Sequence, residues 1–168
     1  MPDFFMEYWN AAEKEIFRLA MPVFAYSESE MLRYKHYKET GKLIVDKELS
    51  DWAAMLKERK EKGVATVRLQ IIKPPISDLT KFEIREGRAH RYAERCLVLQ
   101  EKELRSLAKN KPVSDFWLFD QRQALIPQYD NEGMFFGYRE VEEKDVKGLV
   151  EIRKIAGAFA KPLESFQL

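Results

Sequence analysis

The stretch "VSDFWLFDQRQALIPQYDNEGMFFGY", residues 113–138, decides the fold class of this chain. Its core, "DFWLFD", is too short for a helix and nearly all apolar, which predicts a central strand buried on both faces. Side chains alternate between the two faces of a strand. We therefore expect Trp117 and Phe119 on one face of a sheet, and Phe116 and Leu118 on the other. These four residues form a structural motif.

The residues after this motif predict two more strands, which complete an antiparallel run of three. "QALIPQY" is the second strand, and Pro127 places it at an edge or a bulge because proline cannot donate to a ladder. "DNEG" supplies a turn, and "MFFGYREV" returns as the third strand. A helix from about residue 142 to residue 161 follows. Its expected core face is Val146, Leu149, Val150 and Phe159.

Two further strands are predicted before the motif. In "VATVRLQIIK", residues 64–73, apolar and polar residues alternate, as is typical of a strand. "RCLVLQ" is the second of these strands. "SDLTKFEIREG", a short helix or a turn, follows the first of these strands, and "EKELRSLAKN", a short helix, follows the second.

The first 62 residues predict helices only. The first helix covers roughly residues 11–19 and ends before Pro22. Ser27 and Glu30 have the spacing of a capping box at the start of a second helix, which Gly41 ends. Its expected apolar stripe is Met31, Leu32, Tyr34 and Tyr37. "VDKELSDWAAMLKERKEKG" is a third helix, capped by Asp46 and ended by Gly63, with Leu49, Trp52, Ala53 and Leu56 on one face.

This order of elements predicts an α/β (or α+β) fold, in which one mixed β-sheet is flanked by N-terminal and C-terminal helices. A length of 168 residues fits one domain. We expect a single domain over residues 1–168, with a helical part at 1–62 and a sheet-containing part at 63–168.

The overall composition argues against two classes of partner. With 29 basic and 28 acidic residues, the net charge is +1, so no global field attracts nucleic acid or an anionic membrane. The N-terminus lacks the basic and apolar regions of a secretory signal, and no apolar run is long enough to span a membrane. The single cysteine, Cys96, excludes an intramolecular disulfide and fits a reducing compartment. We therefore expect a cytoplasmic protein without a membrane partner.

Three stretches resemble a bacterial, largely actinobacterial, domain family of unknown function: "RLAMPVFAYSESEMLRY", "VATVRLQIIKPPISDLTKFE" and "DFWLFDQRQALIPQYDNEGMFFG". The family is marked by a Phe-Trp-Leu-Phe-Asp motif, and the similarity runs in the same order over almost the whole chain. The resemblance implies a compact domain of this length and no particular reaction. Because genes of that family are often found near helix-turn-helix regulators, it also suggests a regulatory setting and a protein partner.

A second likeness concerns topology alone. The order of strands, hairpin and C-terminal helix is similar to half of a phospholipase-D-like fold. Active members of that superfamily carry a His-x-Lys-x-x-x-x-Asp motif, and this chain has His36 and Lys38 but Leu43 at the Asp position. The segment is also predicted to be helical. The likeness therefore implies a degenerate version without the catalytic residues.

Patterns that mark metal, cofactor and nucleophile chemistry are missing from the sequence. The Cys and His residues are scattered, so no zinc-type cluster is visible, and there is no glycine-rich phosphate loop. We predict no metal and no cofactor. Cys96 and His90 could form a nucleophile and its base, but "RCLVL" favours a buried, inert thiol.

Two groups of polar residues are the candidate binding site. Asp120 and Arg122 follow the motif at the end of its strand, and ligands of open α/β sheets bind at such ends. The two side chains could instead pair with each other or cap the turn. Arg85, Arg88 and Arg91 lie near His90 and could bind phosphate or bases, unless neighbouring glutamates pair with them.

Three functions remain open from the sequence. The first is a binding or regulatory domain without catalysis, whose partner is a protein or a small ligand. The second is a phosphodiester- or nucleotide-processing enzyme of degenerate phospholipase-D-like type, which would use Asp120, Arg122 and the arginine cluster. The third is a nucleic-acid-binding accessory protein that uses the same cluster. Asp120 and Arg122 in a deep pocket would favour the second.

Overall fold

The computed structural model describes residues 3–22, 27–89, 93–109 and 113–166. The helices in these ranges are α1 (Asp3–Ala11), α2 (Glu28–Thr40), α3 (Lys47–Glu61), α4 (Asp78–Ala89), α5 (Glu101–Ala108) and α6 (Glu143–Phe159). The strands are β1 (Glu15–Ala20), β2 (Ala65–Ile72), β3 (Arg95–Gln100), β4 (Phe116–Phe119), β5 (Gln123–Tyr129), β6 (Phe135–Glu140) and β7 (Lys161–Pro162).

The described strands form one mixed sheet in the order β6-β5-β4-β1-β2-β3-β7. β1, β2 and β3 are parallel and are joined by helical crossovers, whereas β4, β5 and β6 form an antiparallel meander beside β1. The predicted α/β fold with a single mixed sheet is confirmed. The predicted three-strand run that begins with the motif is confirmed as well.

Both faces of the sheet are covered, which explains why the motif is apolar throughout. Trp117 and Phe119 lie on face A, where they pack against α1 and α3. Phe116 and Leu118 lie on face B, together with residues of α5 and α6. All four side chains are buried, in the alternation that the sequence predicts. The helices α2 and α4 also lie over face A, beside β2 and β3.

The predicted helix over residues 11–19 is wrong. Residues 3–11 form α1, and residues 15–20 form β1, which lies between β4 and β2 near the middle of the sheet. Ile16, Leu19 and Ala20 have a helix-compatible spacing, but Phe17 is buried on the opposite face from Ile16. A strand buried on both faces shows no period-2 signal, so spacing alone misleads. The first 62 residues therefore supply a strand to the sheet as well as helices.

The predicted Ser27 and Asp46 caps and the Gly41 end are confirmed, but no hydrogen bond joins the Glu30 carboxyl to the Ser27 N–H among the described residues, so the capping box is incomplete. Ser27 accepts a hydrogen bond from the Glu30 N–H at 3.1 Å, and Asp46 accepts one from the Leu49 N–H at 2.9 Å. Gly41 ends α2 with a φ of 71°, a left-handed conformation that favours glycine. The α2 apolar stripe is only partly as expected: Tyr34 and Tyr37 pack on Phe82, whereas Met31 and Leu32 are exposed.

The structure corrects two predictions for the C-terminal half, at Pro127 and at Phe159. Pro127 lies inside the sheet and not at an edge, but β4 pairs with β5 only up to Leu125, so the missing N–H costs no β4 hydrogen bond. The register of β5 with β6 shifts at Gln128 and Tyr129, next to this proline, as the predicted bulge requires. Phe159 is exposed, so its predicted place in the core of α6 is wrong.

Candidate functional site

A cavity of about 560 Å³ lies on face A, between the sheet and the helices α1 to α4. Its lining combines aromatic and apolar side chains with charged ones. The apolar residues are Met6, Leu49, Trp52, Met55, Trp117, Pro127, Phe135 and Tyr138; the polar residues are Arg18, Ser27, Glu30, Arg33, Glu48, Asp51, Arg68, Glu83, Glu86 and Tyr129. A concave site with an apolar wall and a few convergent polar groups is typical of small-molecule sites.

Strand pairing places two arginines side by side on the floor of this cavity. Arg18 of β1 and Arg68 of β2 are register partners in the parallel ladder, so both side chains lie on face A about 5 Å apart at the backbone. On the other side of β1, Arg18 opposes Trp117. Its guanidinium carbon lies 5.1 Å from the centroid of the Trp117 ring, a cation–π contact.

The two arginines have few protein partners for their donors. Arg18 forms no ion pair and no side-chain hydrogen bond with any residue of the described ranges. Arg68 lies 3.6 Å from the Glu94 carboxylate, yet its buried Nε has no hydrogen-bond partner there. Because a guanidinium carries five donors and keeps its charge at any ordinary pH, these groups are available to bind an acceptor.

Two carboxyl groups reach the same cavity from the helices opposite the floor. Glu83 of α4 accepts a 3.3 Å hydrogen bond from the Gln70 amide, and Glu30 of α2 has no side-chain partner among the described residues. Burial, followed by the nearby charge of Glu30, raises the pKa of Glu83 to about 8, against the opposing effect of Arg68 and Arg18. Burial likewise raises the pKa of Glu30. At neutral pH Glu83 is therefore mostly protonated, which leaves the arginine charge dominant.

The aromatic wall of the cavity is fixed by packing and by hydrogen bonds. Tyr138 stacks on Phe5 at a centroid distance of 5.0 Å. The Tyr129 hydroxyl donates to Asp115 at 2.8 Å, and Asp115 also accepts from the Met21 backbone N–H. Burial raises the pKa of both Asp115 and Tyr129. These contacts hold the wall in place before any ligand binds.

The comparison with known families comes to one result. Residues 3–168 match the domain of unknown function DUF6879. The chain belongs to this family. The resemblance to a domain family of unknown function is confirmed at that level, while the phospholipase-D-like likeness stays a prediction. No curated protein matches the chain. In the described part of this DUF6879 domain, no helix is long and apolar enough to cross a membrane.

Asp120 of the DUF6879 domain organises the start of β1. It occupies the turn after β4 with a φ of 50°, and its carboxylate accepts hydrogen bonds of 2.9, 2.8 and 2.8 Å from the backbone N–H groups of Glu13, Lys14 and Glu15. Partial burial raises the pKa of Asp120, but these three donors outweigh it and lower the pKa overall. Because β4 is antiparallel to β1, this end of β4 lies beside the amino ends of the parallel strands.

The other residues predicted from the sequence are spread over the surface. Arg122 is exposed, and neither it nor Asp120 lines the cavity described above. Arg85 is exposed and lies over the Tyr37 ring at 5.3 Å. Arg88 donates to the carbonyl oxygens of Leu163 and Phe166. A binding role for these residues stays a prediction.

Two sequence candidates, Arg91 and His90, lie outside the described residues. Cys96 is buried, and its thiol lies 3.5 Å from the Gly87 carbonyl oxygen. Burial, with the charge of Glu94, raises the pKa of Cys96 to about 12, so the group is a thiol at neutral pH. Within the described ranges, no three His, Cys, Asp or Glu residues are grouped so as to hold a metal ion.

We expect Asp120→Ala to lower the free energy of unfolding by about 1–3 kcal/mol, because it leaves three backbone donors without their acceptor. The lowered pKa means that this contribution is present above pH 3.8, the ordinary pKa, and is lost as pH falls through the folded-state pKa. Urea unfolding at pH 7 and pH 3 measures both effects. Arg122→Ala, the control, should change little, and an Asp120→Ala variant more stable than the parent would contradict a structural role.

We expect Glu83→Gln to raise the free energy of unfolding by about 1–3 kcal/mol near pH 8. The unfolded carboxyl ionises near 4.5, whereas the folded one stays protonated up to about 8, so the parent loses stability between these pH values. Gln keeps the hydrogen bond with Gln70 and cannot ionise. Unfolding at pH 4, 6 and 8 should show a difference that grows with pH, with exposed Glu39→Gln as the flat control. A Glu83→Gln variant that is less stable at every pH would show that the native carboxyl is needed for folding.

Proposed function

We propose that this chain is a binding domain without catalysis of its own, and that its face A cavity binds a small organic anion with a flat apolar part. The observation that carries the proposal is Arg18: a permanently charged side chain on a central strand, directed into a cavity, without a carboxylate partner in the described part of the chain.

An arginine without a partner in this position does not contribute to the stability of the fold. Charged groups removed from water are normally paired, and the same chain does so elsewhere: Arg33 binds Asp46 and Glu86 at 2.8 and 2.9 Å. Sites that serve binding hold charges that folding does not need. Arg18 fits that pattern, and Arg68 beside it offers a second guanidinium to the same acceptor group.

The chemistry of the ligand follows from the two kinds of side chain in the cavity. Two adjacent guanidiniums match the planar geometry of a carboxylate or a phosphate. Trp52, Trp117 and Tyr138 supply flat apolar surface next to them. An aromatic carboxylate or an aryl phosphate combines the two features, because it has an anionic group for the arginines and a flat ring for the aromatic side chains.

The regulatory setting, the cytoplasmic location and a protein partner remain predictions that accompany this proposal. A regulatory binding domain would transmit ligand occupancy to that partner. The enzymatic alternative was tied to Asp120 and Arg122 in a deep pocket, and these residues lie elsewhere. The nucleic-acid alternative rests on the Arg85, Arg88 and Arg91 cluster and has no support from the cavity.

Tryptophan fluorescence tests the proposal, because Trp52 and Trp117 line the cavity. The probes are 3-phenylpropanoate and phenyl phosphate, each compared with a neutral analogue, 3-phenylpropanamide or phenol. We expect saturable quenching by at least one anion, about tenfold weaker binding of its neutral analogue, and about tenfold weaker anion binding in Arg18→Met, each a loss of about 1.4 kcal/mol.

The matched control is Arg122→Met, which should bind the anion like the parent. Circular dichroism should show that Arg18→Met is folded, since methionine keeps the apolar stem of the side chain. No saturable quenching by either anion, or equal anion binding by the parent and Arg18→Met, would overturn the proposal.

A further inference from the structure

The charged groups of the cavity come from opposite walls. Arg18 and Arg68 extend from strands β1 and β2, whereas Glu30 and Glu83 extend from helices α2 and α4 that cover the same face. Burial raises the pKa of both carboxyl groups, the charge of Glu30 raises that of Glu83 further, and Arg18 and Arg68 act in the opposite direction on both. Neither carboxylate forms an ion pair with Arg18 or Arg68 in the described residues.

Most other charged groups around the cavity are already engaged within the protein. Arg33 is bound to Asp46 and Glu86, Glu48 accepts from the Ser27 hydroxyl at 3.1 Å, and Asp51 is paired with Lys47. Arg18, Glu30 and Glu83 line one space and form no ion pair among the described residues. The space between the arginines of the strands and the glutamates of the helices, here called the roof, suits a molecule that carries both an anionic and a cationic group.

We infer that the ligand is a zwitterion with an aromatic group, of the chemical class of the aromatic α-amino acids, with its anion at Arg18 and Arg68 and its ammonium group at Glu30 and Glu83. This inference rests on the proposed function, to which it adds the second polar end of the ligand. The aromatic ring lies against Trp117 and its neighbours.

Binding of such a ligand is expected to change the protonation of Glu83. An ammonium group beside Glu83 favours its carboxylate, so a proton leaves Glu83 for the solvent on binding. The charged groups that act on Glu83 are Glu30 of α2, Arg18 and Arg68 of the strands, and Asp115, which precedes β4; Glu86 and Arg33 line the same cavity from the helices. A purely anionic ligand has the opposite effect, because its charge at the arginines favours the protonated form.

Isothermal titration calorimetry distinguishes the two cases with three probes: L-phenylalanine, 3-phenylpropanoate, which lacks the ammonium group, and 2-phenylethylamine, which lacks the carboxylate. We expect L-phenylalanine to bind about tenfold tighter than either analogue. Its affinity should increase from pH 6.5 to pH 8.0 with release of a proton, whereas the affinity of 3-phenylpropanoate should stay level or fall.

Two conservative variants complete the test. Glu30→Gln and Glu83→Gln should reduce L-phenylalanine binding to about the level of 3-phenylpropanoate and should not weaken 3-phenylpropanoate binding, and Glu39→Gln should change neither. If 3-phenylpropanoate binds as tightly as L-phenylalanine and Arg18→Met abolishes this, the inference is overturned while the proposed function stands. If none of the three probes binds the parent, the inference is overturned, and if phenyl phosphate does not bind either, the proposed function is overturned with it.

Discussion

Trp117→Ala is expected to lower the free energy of unfolding by about 3–5 kcal/mol, the usual cost of truncating a large buried aromatic side chain. Only 4% of the Trp117 surface is exposed. Its ring contacts Phe5 at 5.1 Å and Trp52 at 6.0 Å between centroids, so it joins α1 and α3 to the sheet. The substitution would leave a cavity between three elements that cannot collapse independently.

Chemical denaturation with fluorescence and circular dichroism measures this change. Phe136→Ala is the matched control, because Phe136 is an aromatic residue of β6 with 68% of its surface exposed. It should unfold at nearly the parent's denaturant concentration. A Trp117→Ala variant with the parent's stability would contradict its structural role and would instead make Trp117 a surface anchor.

Arg33→Met is expected to cost about 3–5 kcal/mol, because it leaves a buried charge without its partner. Arg33 is the buried residue of α2, and its Nε donates to Glu86 of α4 at 2.9 Å. Its Nη1 donates to Asp46 before α3 at 2.8 Å. One guanidinium therefore connects three helical segments above the cavity, and methionine can replace its stem but none of its hydrogen bonds.

The pH dependence of the Arg33→Met variant has a definite sign. Burial raises the pKa of Glu86 and Arg33 opposes this, so loss of Arg33 raises the pKa further. The folded carboxyl then stays protonated while the unfolded one ionises above 4.5, and the destabilisation should be smaller at pH 4.5 than at pH 8. Unfolding curves at both pH values measure it.

A compensating double variant and a surface variant serve as controls for the Arg33→Met experiment. Arg33→Met with Glu86→Gln should recover part of the lost stability, since no buried charge is then left unpaired. Lys47→Met removes an exposed ion pair with Asp51 and should leave stability unchanged. An Arg33→Met variant as stable as Lys47→Met would mean that α2 is held by its tyrosines alone.

The sequence predicts most of the fold, because most elements carry a local signal. Ser27, Asp46, Gly41 and Gly63 mark helix ends through the hydrogen bonds and left-handed turns that such ends require. The motif and β2 show their strand character by burial and alternation. β1 shows neither, since it is short and buried on both faces, and its register with β2 and β4 depends on partners far away in sequence.

The candidate site was much harder to predict from the sequence. Arg18 lies in β1, whose residue spacing predicts a helix, so the sequence does not indicate that Arg68 is its register partner. The alternation of Thr66, Arg68 and Gln70 indicates a polar strand face, which is usually solvent-facing, but helices α2 and α4 cover it. The sequence indicates Asp120 because it ends an apolar motif. In the structure its carboxylate accepts backbone hydrogen bonds at the start of β1.

The most direct test of the binding cavity follows the arginine side chains themselves. In ¹⁵N-labelled protein, the Nε–Hε resonances of Arg18 and Arg68 can be assigned with Arg→Lys variants and followed during titration with 3-phenylpropanoate. We predict that these two resonances shift with a common saturation curve, while those of Arg85 and Arg122 stay in place. Shifts at Arg85 or Arg122, with Arg18 and Arg68 unmoved, would contradict the cavity and return the binding site to the residues that the sequence indicated first.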